Sequence, residues 1–105
     1  MALQEMNFTF QVKGNTKSVP KEWAHIGVVG SGDLEILICH KELGGKVEVK
    51  VVTPVKGFDA IWEKVLGKFV EDTKLSDIVI EINDNNATPY IVSIRLKQAL
   101  IEAER

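Results

Sequence analysis

A change of hydrophobic period at Pro54 constrains this chain more than any other feature. Before it, Lys46-Val47-Glu48-Val49-Lys50-Val51 alternates charged and apolar residues, the pattern of a strand with one buried face. After it, Phe58, Ile61, Trp62, Val65, Leu66 and Phe69 recur at helical spacing and form one continuous face. Lys56, Glu63, Lys64, Lys68 and Glu71 fill the opposite side. A strand face and a helix stripe each need a cover, so the switch predicts a helix laid across a sheet. Trp62 and Phe69 are expected in its core.

The remaining segments extend that plan. Phe8, Phe10 and Val12 alternate with polar residues as a first strand, and residues 14–22, polar and containing Pro20, read as a loop. Ile26 to Val29 is a short strand, and Leu34 to Cys39 is apolar enough to expect burial on both faces. Gly44-Gly45 turns the chain into Lys46 to Val51, so these four segments predict an antiparallel meander. Ile78 to Ile82 is a β-branched last strand. Asn83 to Asn86 reads as a loop of residues that tolerate left-handed backbone. Thr88-Pro89 carries the signature of an N-cap followed by proline at the first helical position. Val92, Leu96, Ala99, Leu100 and Ala103 supply the buried stripe of that helix, with Ile91 and Ile94 off it. The predicted fold is α+β: a mainly antiparallel sheet with two helices packed on one face, in the order strands, helix, strand, helix. It is expected as a single domain over residues 1–105, with 1–23 partly loop or extension.

Bulk composition excludes several partners. A net charge of −2 lacks the basic face that nucleic acid requires. No apolar run approaches the ~20 residues of a membrane span, and the N-terminus has no secretory pattern. Cys39 is the only cysteine, so no internal disulfide forms and a reducing cytoplasm is the expected setting.

The chemistry concentrates in the turn between the second and third strands, where Ser31 stands between Gly30 and Gly32 and is followed by Asp33. A P-loop needs lysine after the second glycine, and Asp33 is there instead. A dinucleotide fingerprint needs a third glycine where Glu35 stands, and a nucleophile elbow needs glycines at Val29 and Asp33. His25 and His40 are available as bases, but the first is expected before its strand and the second at the far end of its partner, both away from Ser31. Cys39 and His40 are neighbours on a strand and point to opposite faces, and Asp84-Asn85-Asn86 lacks the glycine and distant glutamate of a calcium loop, so no metal is expected. Two readings of Ser31 stay open on the residues alone: a plain turn, or a hydroxyl that another enzyme modifies. Flanking glycines, which admit close approach and positive φ, suit both. Asp33 likewise either caps the turn or orients and docks the modifying partners.

The words GVVGSGDLEILI, VTPVKGFDAIWEKVLGKF and INDNNATPYIVSIRLKQALIEAE resemble the acyl carrier (delta) subunits of bacterial malonate decarboxylase, from about Ile26 to the C-terminus. Met1 to Trp23 carry no distinctive word. The citrate lyase acyl carrier subunits are a looser match, without the glycine-bracketed serine. The resemblance implies a non-catalytic carrier in which Ser31 bears phosphoribosyl-dephospho-coenzyme A through a phosphodiester, with Gly30, Gly32 and Asp33 forming the turn and docking surface. The thiol of that arm holds acetyl or malonyl. The implied partners are an acyl transferase subunit, decarboxylase subunits and a prosthetic-group transferase. The alternatives are a citrate lyase-type carrier, an unmodified α+β interaction module and an autonomous hydrolase.

Overall fold

The five strands are β1 (Gln4–Gln11), β2 (Trp23–Ile26), β3 (Asp33–His40), β4 (Lys46–Thr53) and β5 (Ile78–Asn85), and the helices are α1 (Asp59–Thr73) and α2 (Pro89–Glu104). They come from a computed structural model that describes residues 3–19, 23–26 and 33–104, the side chains of Trp23 and Ala24 excepted. The strands form one sheet in the order β1-β4-β5-β3-β2. All neighbours are antiparallel except β4 and β5, which are parallel.

The α+β class and the element order agree with the sequence reading, but the meander does not form. β5 inserts between β3 and β4, because α1 joins β4 to β5 and a helical crossover returns the chain parallel and adjacent. The Gly44-Gly45 turn, with φ of 66° and 90°, therefore bridges two strands that flank a third. Asp77, just before β5, fills the space beneath it: its Oδ1 accepts the Leu43 N–H at 2.8 Å and the Gly45 N–H at 2.9 Å. Those two bonds hold its carboxyl below the ordinary range.

One face of the sheet carries the core. Leu34, Ile36 and Ile38 on β3, Val47, Val49 and Val51 on β4, and Ile78, Ile80 and Ile82 on β5 are buried in register. Trp62, Leu66, Phe69 and Val70 from α1 and Val92, Leu96, Ala99, Leu100 and Ala103 from α2 complete it. Trp62 and Phe69 are core residues as expected. β3 is buried on this face only; Glu35, Leu37 and Cys39 on its other face are half-buried, since both helices lie on one side. Phe58, the residue just before α1, and Ile61 in its first turn leave the predicted buried stripe and are 44% and 43% exposed, while Trp62 beside them is buried. α1 passes close over β1, where a Cβ on Gly67 would lie 3.3 Å from the Phe10 ring.

Element ends also moved. β1 starts earlier than Phe8, and β2 runs three residues ahead of the expected Ile26–Val29, of which residues 27–29 lie outside the described part. Asn83 to Asn85 belong to β5, not to a loop, because they pair with Glu35, Leu34 and Asp33. Only Asn86 is left-handed, at φ 67°. Ile91 packs against the core beside the α2 stripe.

The C-cap of α1 is Lys74, left-handed at φ 54°, with its N–H on the Val70 carbonyl. A side chain is strained there where glycine is not. Lys74→Gly is expected to raise the stability to denaturant by about 0.5 kcal/mol, read as a higher unfolding midpoint at unchanged slope.

Candidate functional site

At the end of the sheet where β2 stops and β3 starts, the first residue of β3 meets α2, beside the last residues of β4 and β5. Gly30, Ser31 and Gly32 lie outside the described residues; Asp33 is the one expected site residue that is described. It pairs with Asn85 across the sheet. Its Oδ1 accepts the Leu34 N–H at 2.8 Å and the Arg95 Nε–H at 3.0 Å, and its Oδ2 accepts the Arg95 Nη2–H at 2.9 Å. The pair is a two-pronged guanidinium–carboxylate contact, with side chains 28% and 25% exposed. Arg95, and then the Leu34 amide, hold the Asp33 carboxyl below its ordinary value, and Asp33 raises the guanidinium in return. Arg95 Nη1 also donates to Gln98 Oε1 at 2.9 Å. The first residue of β3 is thus clamped to α2.

Arg95 was not among the residues singled out from the sequence. It stands beside the buried Leu96 and is one of two arginines in the chain, which marks a cation in need of a partner. Its partner lies 62 residues away, and only the fold shows it.

α2 brings Arg95 there because its own start is anchored. Thr88 is the cap, its Oγ1 accepting the Ile91 N–H at 3.2 Å and its carbonyl the Val92 N–H at 3.0 Å. One step earlier, buried Asp84 accepts the Thr53 hydroxyl at 2.8 Å, the Asn86 N–H at 3.2 Å and the Ala87 N–H at 3.0 Å. The last residues of β4 and β5 and the approach to α2 therefore meet on one carboxylate.

On the open face of the sheet, His25 Nε2 lies 2.9 Å from Glu35 Oε2, and Asn83 Nδ2 donates to Glu35 Oε1 at 3.1 Å. Both neighbours, His25 first, lower the Glu35 pKa. The expectation that His25 precedes its strand is wrong: it lies within β2, opposite Leu37 and one residue from the strand's loop end. His40 is at the far end of β3 as expected, 2.8 Å from Ser18 Oγ. Among the described residues no group of His, Cys, Asp and Glu is arranged to hold a metal, and no helix is long and apolar enough to cross a membrane.

Comparison with known proteins places this arrangement. The family model of the malonate decarboxylase delta subunit (MdcD) matches residues 21–103. The malonate decarboxylase acyl carrier protein of Malonomonas rubra is 54% identical over 103 residues, covering 97% of this chain and 90% of that protein. That of Xanthomonas campestris pv. campestris (strain B100) is 48% identical over 77 residues, 73% of each chain. The fold is similar to a chain in the crystal structure of a Pseudomonas malonate decarboxylase hetero-tetramer in complex with malonate, with a TM-score of 0.81 and 30% identity over 95% of this chain and 98% of that one. The Malonomonas match covers almost the whole chain, so the likeness extends into the N-terminal segment where the sequence offered no distinctive word.

The clamp has a pH signature. Asp33 has a lowered pKa in the folded chain, so its contribution to stability is present above the ordinary value of 3.8 and is lost as pH falls through the lowered one. Wild type is expected to be more stable than Arg95→Gln at neutral pH, with the gap closing below about pH 4. Carboxyl NMR should show the Asp33 midpoint move up in the variant. A gap that does not change with pH would remove the clamp as its source.

Proposed function

The chain belongs to the malonate decarboxylase delta-subunit family, and on that premise we propose that it is the acyl carrier subunit of a malonate decarboxylase and that Ser31 anchors its prosthetic arm. A carrier of this kind is not itself a catalyst: it presents an acyl group to the active sites of other subunits. The arm proposed is phosphoribosyl-dephospho-coenzyme A, joined to the Ser31 oxygen by a phosphodiester. When attached, it supplies a thiol for acetyl and malonyl thioesters, whose electron-withdrawing carbonyl eases loss of carbon dioxide.

The observation that carries this reading is how the titratable groups nearest the glycine segment are engaged. Asp33 is paired with Arg95, and Glu35 with His25 and Asn83. Both carboxyls are lowered, which makes them poor proton acceptors, and His25 has its Nε2 on Glu35, so in this reading an incoming enzyme activates the hydroxyl. Position 31 is also the midpoint of the chain between Ile26 and Ile36, which face each other across β2 and β3. Gly30 and Gly32 would let a transferase approach that midpoint closely, while Asp33 fixes the following strand.

The partners proposed are the prosthetic-group transferase, the acyl transferase subunit and the decarboxylase subunits, with residues 1–105 acting as one carrier domain in the cytoplasm. A citrate lyase-type carrier is the weaker reading, since the relatives reported above are malonate decarboxylase proteins.

Intact mass tests the anchor. Co-expression with the prosthetic-group transferase of a malonate decarboxylase system is expected to add one phosphoribosyl-dephospho-coenzyme A to wild type and none to Ser31→Ala. An unshifted wild-type mass would sink the proposal. So would ester hydrolysis by the purified chain that is lost in both Ser31→Ala and His25→Ala, since that outcome identifies a hydrolase.

A further inference from the structure

A groove of about 270 Å³ opens between the N-terminal turns of the two helices. Phe58, Ile61, Trp62 and Val92 form much of its wall, and Asn86 and Thr88 line its polar side. Phe58 and Ile61 are each more than two-fifths exposed, although they belong to a stripe of otherwise core spacing. We propose that this groove seats the adenine ring of the arm carried by Ser31, so that only the part of the arm beyond the ring swings. The inference rests on the Ser31 reading.

Reach permits it. Ser31 is two residues from Asp33, at most about 7 Å along the chain. Asp33 faces Asn85 across an antiparallel pair, about 5 Å, and Asn86 on the groove lining is the next residue, about 3.8 Å further. The lining therefore begins within about 16 Å of the Ser31 Cα. Adenine is joined to that serine through two ribose units and a phosphodiester, which brings the groove within its range.

Chemistry selects the adenine from among the arm's parts. Phosphates and a malonyl carboxylate are disfavoured by apolar walls and by the negative charge of Asp84, which is among the residues around the groove. A neutral aromatic ring matches those walls, and the Asn86 amide can donate and accept at an adenine edge. The volume lies just below the range of about 300–1,000 Å³ for drug-sized ligands, which suits one ring system and not the whole arm. Seating the ring would shorten the mobile part and raise the effective concentration of the thiol near this end of the carrier.

The test uses the full chain. Adenosine and 3′-dephospho-coenzyme A are each titrated into the unloaded protein while the methyl signals of Ile61 and Val92 are followed by NMR. Both are expected to shift these signals with half-saturation near 1 mM, about the effective concentration a short tether supplies. Pantetheine should leave them in place, and Ile61→Asp should weaken adenosine binding about fivefold or more. In the loaded chain, contacts between adenine protons and the Ile61 methyl are expected. Methyls that ignore adenosine but respond to pantetheine, or only to a purified catalytic subunit, would overturn the proposal; the second result would assign the groove to protein docking. Should Ile61→Asp fail to fold, the wild-type titrations and the loaded-chain contacts decide alone. The two readings fail separately: a mass that never shifts removes the anchor, whereas a shifted mass with methyls silent to adenosine removes only the seat.

Discussion

Asp84 is the contact on which the functional end of this protein depends. A buried carboxylate is costly unless its oxygens are engaged, and here three donors from two places engage them. Thr53 comes from the end of β4, and the Asn86 and Ala87 amides come from the turn into α2. Without that acceptor, the last residues of two parallel strands and the start of the helix have no shared anchor. The capping Thr88, the direction of α2 and the position of Arg95 all follow from it.

An ion pair transmits that placement to the proposed anchor. Thr88 caps α2, and Arg95 arrives two turns later on the side facing β3. Its two-pronged hold on Asp33 fixes the first residue after the glycine segment against a helix whose own start is fixed by Asp84. Asp33 was open to two roles in the sequence, and its bonds to Leu34 and Arg95 give it a structural one. A docking role for Asp33 would have to act with both oxygens already engaged.

The sequence revealed the parts that depend on local period and local chemistry. The α1 stripe, the β-branched β5, the Thr88-Pro89 start and the Gly44-Gly45 turn are all set by neighbours within a few residues, and all are found. Sheet order was not legible in the same way. A Gly-Gly turn between two apolar strands has the pattern of a hairpin, and nothing local says that β5 will slide between them. That outcome is fixed by the crossover through α1 and by Asp77 bracing the turn from below, at a distance of 32 and 34 residues. Asn83 to Asn85 misled for a related reason: their side chains favour loops, but their backbones are claimed by the edge of β3. Phe58 and Ile61 obey the helical period and yet face solvent, because period reports a helix face and not the extent of its cover. The proposed anchor segment offered a word and no geometry.

A carrier with the proposed swinging arm would have to satisfy two opposed demands, and the division of labour in this fold suits both. The platform must be rigid, so that partners would find the proposed anchor in one place, and the clamps at Asp84 and Asp33 supply that rigidity. The arm must remain easy to detach from any resting place, since each transfer requires the thiol elsewhere. A groove with millimolar affinity and a tether of millimolar effective concentration is occupied about half the time, and vacating it costs only about 0.4 kcal/mol. A tighter site would hold the arm back from the catalytic subunits, and a charged one would compete for the malonyl carboxylate. Partial exposure of Phe58 and Ile61, which looks like incomplete packing at the start of α1, is what the proposed weak apolar rest would require.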